Sequence, residues 1–348
     1  MRDGTPMLDP KSCPGNPWVS LGSTNEVVFG YLPGFGYQGD RVNDLYHAVL
    51  NRFKQLETAP AMDPIFPFIK QEPHKKTKLE EGRVRIISGV SATDQIVADL
   101  LFMPELQSQM QNTLYNGIAI GWAPNVPSGI VAFNEVTEGF DTCADKSSWD
   151  WTVVLWMVNF ACQFFVSRAT GCHEVLKNHI LAMLGPKKFK FRGGVFRTEH
   201  PGVMPSGWKV TILLNSLWQK ACHIMCGSPG KILSMGDDTI QEPVQDSYWD
   251  KMAKLGPKIK EIRKDGVKEF CGVTIDKNGY YPVYTAKHSY VLHHLKPAVA
   301  IDTLRSYQTL YAYCPKQLSA IRRWLRELGR ADAILPDDDL RKPPLGLG

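Results

Sequence analysis

The feature that most restricts how this chain can fold is a Gly-Asp-Asp turn between two short apolar runs, in the segment KILSMGDDTIQE at 231–242. Two apolar arms around a glycine-bearing turn are typical of a β-hairpin. Gly-Asp-Asp also occurs by chance, and alone it indicates only a solvated turn. In this context, the pattern predicts that Asp237 and Asp238 project from the tip of a buried strand pair.

Another acid ends an apolar strand roughly ninety residues earlier in the chain. Residues 139–143 are strand-like and lead into DKSSWDWT, after which the apolar spacing is helical to about Ser167. Asp145 therefore lies where a strand turns towards a helix. Phosphoryl transfer by two metal ions requires shared oxygen ligands for hard cations about 3.5–4 Å apart. Asp145, Asp237 and Asp238 are the candidate metal ligands.

A helix between these acids carries a polar pair. Thr211 and Asn215 in SGWKVTILLNS are four residues apart, so they share a helix face away from the leucines. Such a pair is often only a solvated surface. Asp150 supplies a further polar group that can converge with them, and an Asp with an Asn is suited to hydrogen-bonding a ribose 2′-hydroxyl. This combination predicts a preference for ribonucleotides.

A basic stretch precedes these motifs in KQEPHKKTKLEEGRVRII. Its cations, tempered by three glutamates, are Lys70, Lys75, Lys76, Lys78, Arg83 and Arg85. A charge run of this kind is usually a solvated face. Beside a metal site it becomes a candidate for binding a triphosphate, because Lys and Arg offset negative charge.

The remaining pattern predicts short elements with no internal repeat. Helices are expected at 42–56, 92–110, 173–184 and 248–255, with a helix-rich tail beyond His288. Residues 117–139 are expected to form loop and short strand. Single strands are expected at 188–196, in KIKEI and in EFCGVTI.

Composition indicates an ordinary globular protein, with 43% hydrophobic residues, 22% charged residues and a net charge of +5. The spacing of the eight cysteines matches neither zinc nor disulfide frameworks, which predicts a reduced intracellular protein with buried thiols. The apolar run from Val153, VVLWMVNFACQFFVS, falls short of the ~20 residues that a membrane span needs. It is expected to form a buried helix.

Taken in order, three segments resemble the palm motifs of RNA-dependent RNA polymerases from positive-strand RNA viruses: DKSSWD, PSGWKVTILLNS and MGDDT. The chain is most similar to the sobemovirus type and more distantly to the picornavirus type, from about Cys13 to Cys271. The resemblance implies that Asp145, Asp237 and Asp238 bind metal. It also implies that Asp150 senses the ribose, and that a flexible loop at Ser206 and Gly207 precedes the helix of Thr211 and Asn215.

The same resemblance extends to other segments. IKQEPHKKTKLEEGRVRII resembles the finger motif over the incoming triphosphate, which implies phosphate contacts by Lys70, Lys78 and Arg85. PGNPW resembles the loop that guides the template, which implies roles for Gly15 and Pro17. A lysine in KIKEIRK should donate a proton to pyrophosphate; Lys264 is favoured by its spacing after Gly256, with Lys260 as the rival.

The resemblance implies an α/β (α+β) right-hand fold with an antiparallel palm sheet. Fingers are expected at 1–140 and 185–205, palm at 141–184 and 206–272, and a small helical thumb at 273–348. Relatives carry a longer N-terminal finger segment. We therefore expect either an open fingertip region or the downstream part of a longer polyprotein.

The activity implied is RNA-templated RNA synthesis with two Mg²⁺ or Mn²⁺ ions, replicating a viral genome. The expected partners are template and product RNA, nucleoside triphosphates, and a protein primer or upstream polyprotein segment. The expected location is the host cytoplasm, in a replication complex held at membranes by other proteins. The alternatives are a reverse transcriptase, a non-catalytic RNA-binding scaffold and a metal-dependent nuclease.

Overall fold

The computed structural model describes residues 8–126 and 128–341, which form a mixed helical and β-sheet fold. The α-helices are α1 (Asn25–Phe29), α2 (Arg41–Leu56), α3 (Lys76–Glu80), α4 (Ala92–Gln111), α5 (Gly129–Val136), α6 (Leu155–Arg168), α7 (His173–Leu184), α8 (Thr211–Met225), α9 (Ser247–Lys254), α10 (Thr285–His293), α11 (Pro297–Leu310), α12 (Pro315–Glu327) and α13 (Asp337–Leu340). The strands are β1 (Tyr31–Leu32), β2 (Gly36–Tyr37), β3 (Phe66–Ile69), β4 (Ile86–Gly89), β5 (Thr142–Lys146), β6 (Lys188–Phe191), β7 (Gly194–Arg197), β8 (Ile232–Met235), β9 (Asp238–Gln241), β10 (Ile259–Arg263), β11 (Glu269–Phe270), β12 (Val273–Asp276) and β13 (Gly279–Pro282).

The fold divides into two compact units that alternate along the sequence. Unit 1 comprises the described residues up to Ser108, with Ser147–Trp218 and Ala253–Lys258. Unit 2 comprises Gln109–Lys146, Gln219–Met252 and the described residues from Ile259 onward. The division into fingers, palm and thumb is finer than these two units and stays a prediction.

Unit 2 is built on a four-stranded antiparallel sheet in the order β10-β5-β9-β8. Its two inner strands and β8 are largely buried, and Leu233 and Ile240 are fully covered. A second sheet, β11-β12-β13, contributes Phe270 and Tyr280 to the same hydrophobic core. This burial fixes the ends of the central strands, where the acidic motifs lie.

Unit 1 combines helices with three two-stranded hairpins: β1-β2, β3-β4 and β6-β7. Helix α7 packs against both α2 and α6. Asn178 on α7 donates a hydrogen bond to the carbonyl of Leu56 at 2.9 Å, which satisfies an otherwise free acceptor at the end of α2. Phe29, Leu56 and Val97 belong to one hydrophobic core in this unit.

Helix positions agree well with the periodicity of the sequence, and the helix expected at 173–184 coincides with α7. The apolar run from Val153 forms α6, which buries one face through Met157, Val158, Ala161 and Phe165. Leu155 is 61% exposed, so the expected burial applies to only part of this helix. Among the described residues, no helix combines the length and apolar character required to span a membrane.

Three expectations were wrong in detail. Residues 117–139 contain the helix α5 rather than only loop and strand. The strands expected at 188–196 and in EFCGVTI are both hairpins, because residues with positive φ turn the chain at Arg192–Gly193 and Cys271–Gly272. The cysteines are also not uniformly buried, since Cys172 and Cys271 are exposed.

The C-terminal part of unit 2 is helical, as expected. Helices α11 and α12 pack together, and Leu304, Tyr311, Ile321 and Leu325 form their shared core. Leu318 is also buried, whereas Leu328 is 53% exposed because it lies just beyond the end of α12.

Candidate active site

The Gly-Asp-Asp segment forms the predicted hairpin turn between β8 and β9. Met235 pairs with Asp238, so Gly236 and Asp237 are the two turn residues. Gly236 has a φ of +67°, a conformation that glycine adopts without a steric penalty and that two-residue hairpin turns require. Gln219 donates a side-chain hydrogen bond to the carbonyl of Asp237 at 3.1 Å, which supports the turn from α8.

Asp145 lies on β5, the strand next to β9 in the sheet. Ala144 on β5 pairs with Thr239 on the antiparallel strand β9. Asp145 follows Ala144 and Asp238 precedes Thr239, so both acids lie at the same end of the two strands. On its other side, Asp145 is paired with Glu261 of β10. The strand register therefore concentrates the predicted metal-binding carboxylates at one end of the unit 2 sheet.

Burial and the neighbouring negative charge both perturb Asp238. Its pKa is raised to about 6, first because burial disfavours the charged form and second because Asp237 repels it. Carboxylate oxygens are the donors that Mg²⁺ and Mn²⁺ prefer, so the chemistry of the three side chains fits a divalent cation. Within 8–126 and 128–341, however, no three acidic, His or Cys side chains are already gathered into a cluster that could hold a metal ion.

The ammonium of Lys260 contacts the carboxylate of Asp145. The hydrogen bond with Asp145 raises the pKa of Lys260. A β-bulge between Ile259 and Glu261 makes Lys260 the extra residue of β10 opposite β5. Lys264, the lysine favoured from sequence, instead contacts Asp246 at 2.9 Å. The structure therefore brings the rival lysine, and not Lys264, to the acids.

Lys146 is a neighbour of the acids that the sequence motifs did not single out. It is buried, and its ammonium contacts the hydroxyl of Thr239 and the carbonyl of Ala144, the latter at 3.2 Å. Burial lowers the pKa of Lys146 to about 8, while the nearby carboxylates of Asp237, Asp238 and Asp145 oppose that shift. The only indication in the sequence that Lys146 lies near the acids was its position directly after Asp145. Lys146 is thus a buried basic residue directly after Asp145, and all three acids influence its pKa.

In unit 1, Asp150 and Asn215 meet as predicted. The amide of Asn215 donates a hydrogen bond to a carboxylate oxygen of Asp150 at 3.1 Å. The amide oxygen of Asn215 is buried and has no hydrogen-bond partner in the described structure. Thr211 does not join this pair, because its hydroxyl donates to the carbonyl of Pro205 at 2.9 Å.

Ser206 and Gly207 lie against the backbone of β4. The Ser206 hydroxyl oxygen accepts a hydrogen bond from the Ser88 amide at 3.2 Å. A Cβ on Gly207 would lie 2.1 Å from the Ser88 carbonyl oxygen, so only glycine permits this approach. Gln95 also donates to the carbonyl of Gly207. The loop before α8 is therefore fastened to β4 and α4.

The basic motif forms the β3–β4 hairpin and the short helix α3 between its strands. The backbone amide of Lys70 donates to the carbonyl of Arg85 at 2.9 Å. Both side chains share Glu72, at 3.4 Å from Lys70 and 3.3 Å from Arg85. Lys78 lies exposed on α3. Thus Lys70 and Arg85 are adjacent, and Lys78 is on a separate element of the same motif.

Gly15 and Pro17 lie in a loop that packs on the junction between β4 and α4. Gly15 has a φ of +65°, and a Cβ there would lie 2.6 Å from the Val90 carbonyl oxygen. Trp18 fixes the end of the loop through a 3.0 Å hydrogen bond from its indole to Thr93. Residues flanking this loop, together with β3, β4 and Gly207, line a groove of about 830 Å³ in unit 1.

Comparisons with known proteins identify the family of this chain. A family model described as viral RNA-dependent RNA polymerase matches residues 4–224, and a second, viral RNA-directed RNA-polymerase, matches 192–304. Protein P2-P3 of Poinsettia latent virus is 28% identical over 275 residues, covering 71% of this chain and 24% of that protein. Replicase polyprotein P2AB of Southern bean mosaic virus is 29% identical over 229 residues, covering 63% of this chain and 23% of the polyprotein.

A solved structure shows the same fold. The Sicinivirus 3Dpol RNA dependent RNA polymerase aligns with a TM-score of 0.74 at 14% identity, covering 96% of this chain and 76% of that one. The chain spans about a quarter of the length of the two viral relatives above. The expected fold class and the sobemovirus-like resemblance are confirmed. Because one family model covers well over half of its residues, the chain belongs to the viral RNA-dependent RNA polymerases.

Proposed function

We propose that this chain performs RNA-templated RNA synthesis by joining ribonucleotides with the help of two divalent metal ions. The observation that carries the proposal is the gathering of Asp145, Asp237 and Asp238 at one end of the unit 2 sheet, in a chain of this family. Two Mg²⁺ or Mn²⁺ ions held there would activate the 3′-hydroxyl and neutralise the departing pyrophosphate.

The chain's own residues would position the substrates. The Asp150–Asn215 pair would hydrogen-bond the ribose 2′-hydroxyl of an incoming nucleotide, and the unpaired amide oxygen of Asn215 supports a role as acceptor. Lys70 and Arg85, with Lys78, would contact the triphosphate. Gly15 and Pro17 would guide the template, and Ser206 with Gly207 would help to place template and nucleotide.

A lysine would give a proton to pyrophosphate as it leaves. Lys260 is the lysine in contact with Asp145, whereas Lys264 is held by Asp246. General acids must lie within hydrogen-bonding reach of the group that they protonate. The geometry at the acids supports Lys260, and the spacing after Gly256 supports Lys264.

The proposed setting is a replication complex in the host cytoplasm, held at membranes by other proteins. Template RNA, product RNA and nucleoside triphosphates would be the substrates and products. One of the relatives is named a replicase polyprotein, which supports an upstream polyprotein segment or a protein primer as a partner.

The rival functions fit the site less well. The Asp150–Asn215 pair argues against a reverse transcriptase, because polymerases that make DNA tend to block the 2′-hydroxyl with a bulky group. A non-catalytic scaffold has no need for mutually repelling carboxylates, yet Asp237 contributes to the raised pKa of Asp238. A metal-dependent nuclease accounts for the acids but not for the basic hairpin together with the α8 polar pair.

Primer extension tests this proposal. The purified chain is incubated with an annealed RNA primer–template, Mg²⁺ or Mn²⁺, and either ribo- or deoxyribonucleoside triphosphates. We expect template-dependent ribonucleotide addition that Asp237→Ala abolishes, with an unchanged far-UV circular dichroism spectrum. Asp302→Ala, which removes an exposed carboxylate on α11, is the matched control and should retain activity. Wild-type-like addition by Asp237→Ala would refute the metal assignment.

A further inference from the structure

The β6–β7 hairpin of unit 1 sorts its side chains by chemistry onto two faces. Lys188 is paired with Arg197 and Lys190 with Val195, and residues directly opposite on neighbouring strands share a face. One face, called here the cationic face, therefore carries Lys188, Lys190, Val195 and Arg197. The intervening pair, Phe189 with Phe196, lies on the opposite face.

The positive charges of the cationic face are not neutralised by acidic side chains in the part of the chain that the structure describes. Lys188, Lys190 and Arg197 are all exposed, and within the described part of the chain none forms an ion pair with a carboxylate. Like charges directly opposite each other destabilise an antiparallel strand pair. Lys188 and Arg197 occupy such a position. This arrangement is unfavourable for the hairpin alone and favourable when an anion lies across the two strands.

Hydrogen bonds anchor the hairpin to the loop of Gly15 and Pro17 and to Ile65. The side chain of Asn16 in that loop donates to the carbonyl of Lys190 at 3.2 Å. The amide of Ile65 donates to the carbonyl of Lys188 at 2.8 Å, and the amide of Lys190 donates to the carbonyl of Ile65 at 2.9 Å. The cations therefore stand on an anchored backbone next to the predicted template-guiding segment.

We propose that the cationic face binds the phosphate backbone of single-stranded RNA, with Lys188 and Arg197 as neighbouring phosphate contacts and Lys190 as a third. The inference rests on the proposed function and adds an RNA-binding surface to it. Three exposed cations on one anchored face supply the positive charge that offsets a phosphate backbone.

An anionic membrane is the other polyanion to consider, and the side-chain arrangement disfavours it. Interfacial membrane binding requires apolar and basic side chains to face the same plane. Phe196 is 64% exposed, but it points away from the cationic face. A lipid surface in contact with Lys188 and Arg197 would therefore leave the main exposed apolar group of the hairpin in water.

Fluorescence anisotropy with a 5′-labelled single-stranded RNA tests the proposal, without nucleotides or metal and over a range of salt concentrations. Each phosphate contact to a single strand contributes roughly 0.7 to the slope of log K against log salt. We expect Lys188→Gln/Arg197→Gln to reduce that slope by about 1.4 and to weaken binding on the order of 20-fold at 0.1 M salt. The melting temperature should not fall, because the substitution removes a like-charge pair.

Arg41→Gln/Lys54→Gln is the matched control, since it removes one Arg and one Lys from exposed positions on α2 in the same unit. It should leave the salt slope within about 0.3 of the wild-type value. Phe196→Ala is a second comparison and should leave the slope unchanged, because it removes no charge.

Equal RNA affinity and salt slope for Lys188→Gln/Arg197→Gln and for its control would overturn the proposal. So would retained RNA binding by this variant together with lost flotation on phosphatidylserine vesicles, which would assign the face to membranes. These results would leave the proposed polymerase function intact, because primer extension is measured separately. Wild-type protein that binds RNA but adds no nucleotide would contradict the polymerase proposal and leave the binding face supported.

Discussion

Asp238→Asn is expected to stabilise the metal-free chain at neutral pH. The folded chain raises the pKa of Asp238 from 3.8 to about 6, mainly because burial disfavours its charge and also because Asp237 lies beside it. The folded state therefore binds more protons than the unfolded state between these two values. The contribution of Asp238 to the free energy of unfolding therefore falls as the pH rises through this interval, and it is constant above it.

The size of the effect follows from that shift. A difference of about two pKa units corresponds to about 3 kcal/mol, and solvent screening of the partly exposed carboxylate reduces this to about 2 kcal/mol. Asn has nearly the same shape as Asp, so the substitution removes the charge without leaving a cavity. With an unfolding entropy of roughly 2 cal/mol/K per residue, a gain of this size raises the melting temperature by about 3 °C.

Thermal unfolding followed by circular dichroism in EDTA measures the effect. We expect the gain of Asp238→Asn at pH 7.5 to shrink to about one third at pH 4.5, because Asp238 is then protonated in the folded wild-type chain. Asp302→Asn, which removes an exposed carboxylate from α11, should show no such dependence. An unchanged or lower melting temperature for Asp238→Asn at pH 7.5 would refute the electrostatic reasoning.

Two further predictions concern catalysis. Asn215→Ala should lower the discrimination between ribo- and deoxyribonucleotides about 5-fold in single-nucleotide incorporation, because a hydrogen bond between neutral groups contributes about 1 kcal/mol. Lys260→Leu should slow the chemical step by about 100-fold in rapid-quench experiments, because general acid catalysis typically contributes at least this factor. The effect of Lys264→Leu should be smaller, because Lys260 is the lysine that contacts Asp145. An unchanged sugar preference would remove Asn215 from the ribose role, and the reverse order of the two lysine variants would assign proton donation to Lys264.

The main architecture was predictable because it depends on local patterns. Apolar residues at helical spacing located α2, α4 and α7, and apolar arms around Gly236 located the β8–β9 hairpin. The meeting of Asp150 and Asn215 was also predicted, because motif order placed both near one nucleotide site. These features could be predicted without knowing how distant segments of the chain pack together.

The errors arose where the chain turns in a conformation that hydrophobic periodicity does not report. Arg192 and Cys271 adopt positive φ ahead of a glycine, and each converts an expected single strand into a hairpin. Helix α5 follows Ser128, which also has positive φ, in a segment with prolines and glycines that indicated loop.

The lysine near Asp145 could not be chosen from spacing, because strand alternation fails at a β-bulge. The pairing of β10 with β5 shifts between Ile259 and Glu261, and this shift determines where Lys260 points. Lys146 was missed for a different reason. Its burial depends on how β5 and β9 are covered in the fold, and a lone lysine in a sequence usually indicates an exposed position.

The contact between Lys260 and Asp145 gives the chain a tethered competitor for any cation that Asp145 holds. Their side chains are 59% and 45% exposed, and an ion pair with this exposure contributes roughly 0–1 kcal/mol. A doubly charged ion can exchange with this ammonium at little cost, whereas a singly charged ion gains no advantage in charge over it. We therefore expect Lys260 to disfavour monovalent cations at Asp145 more than divalent ones.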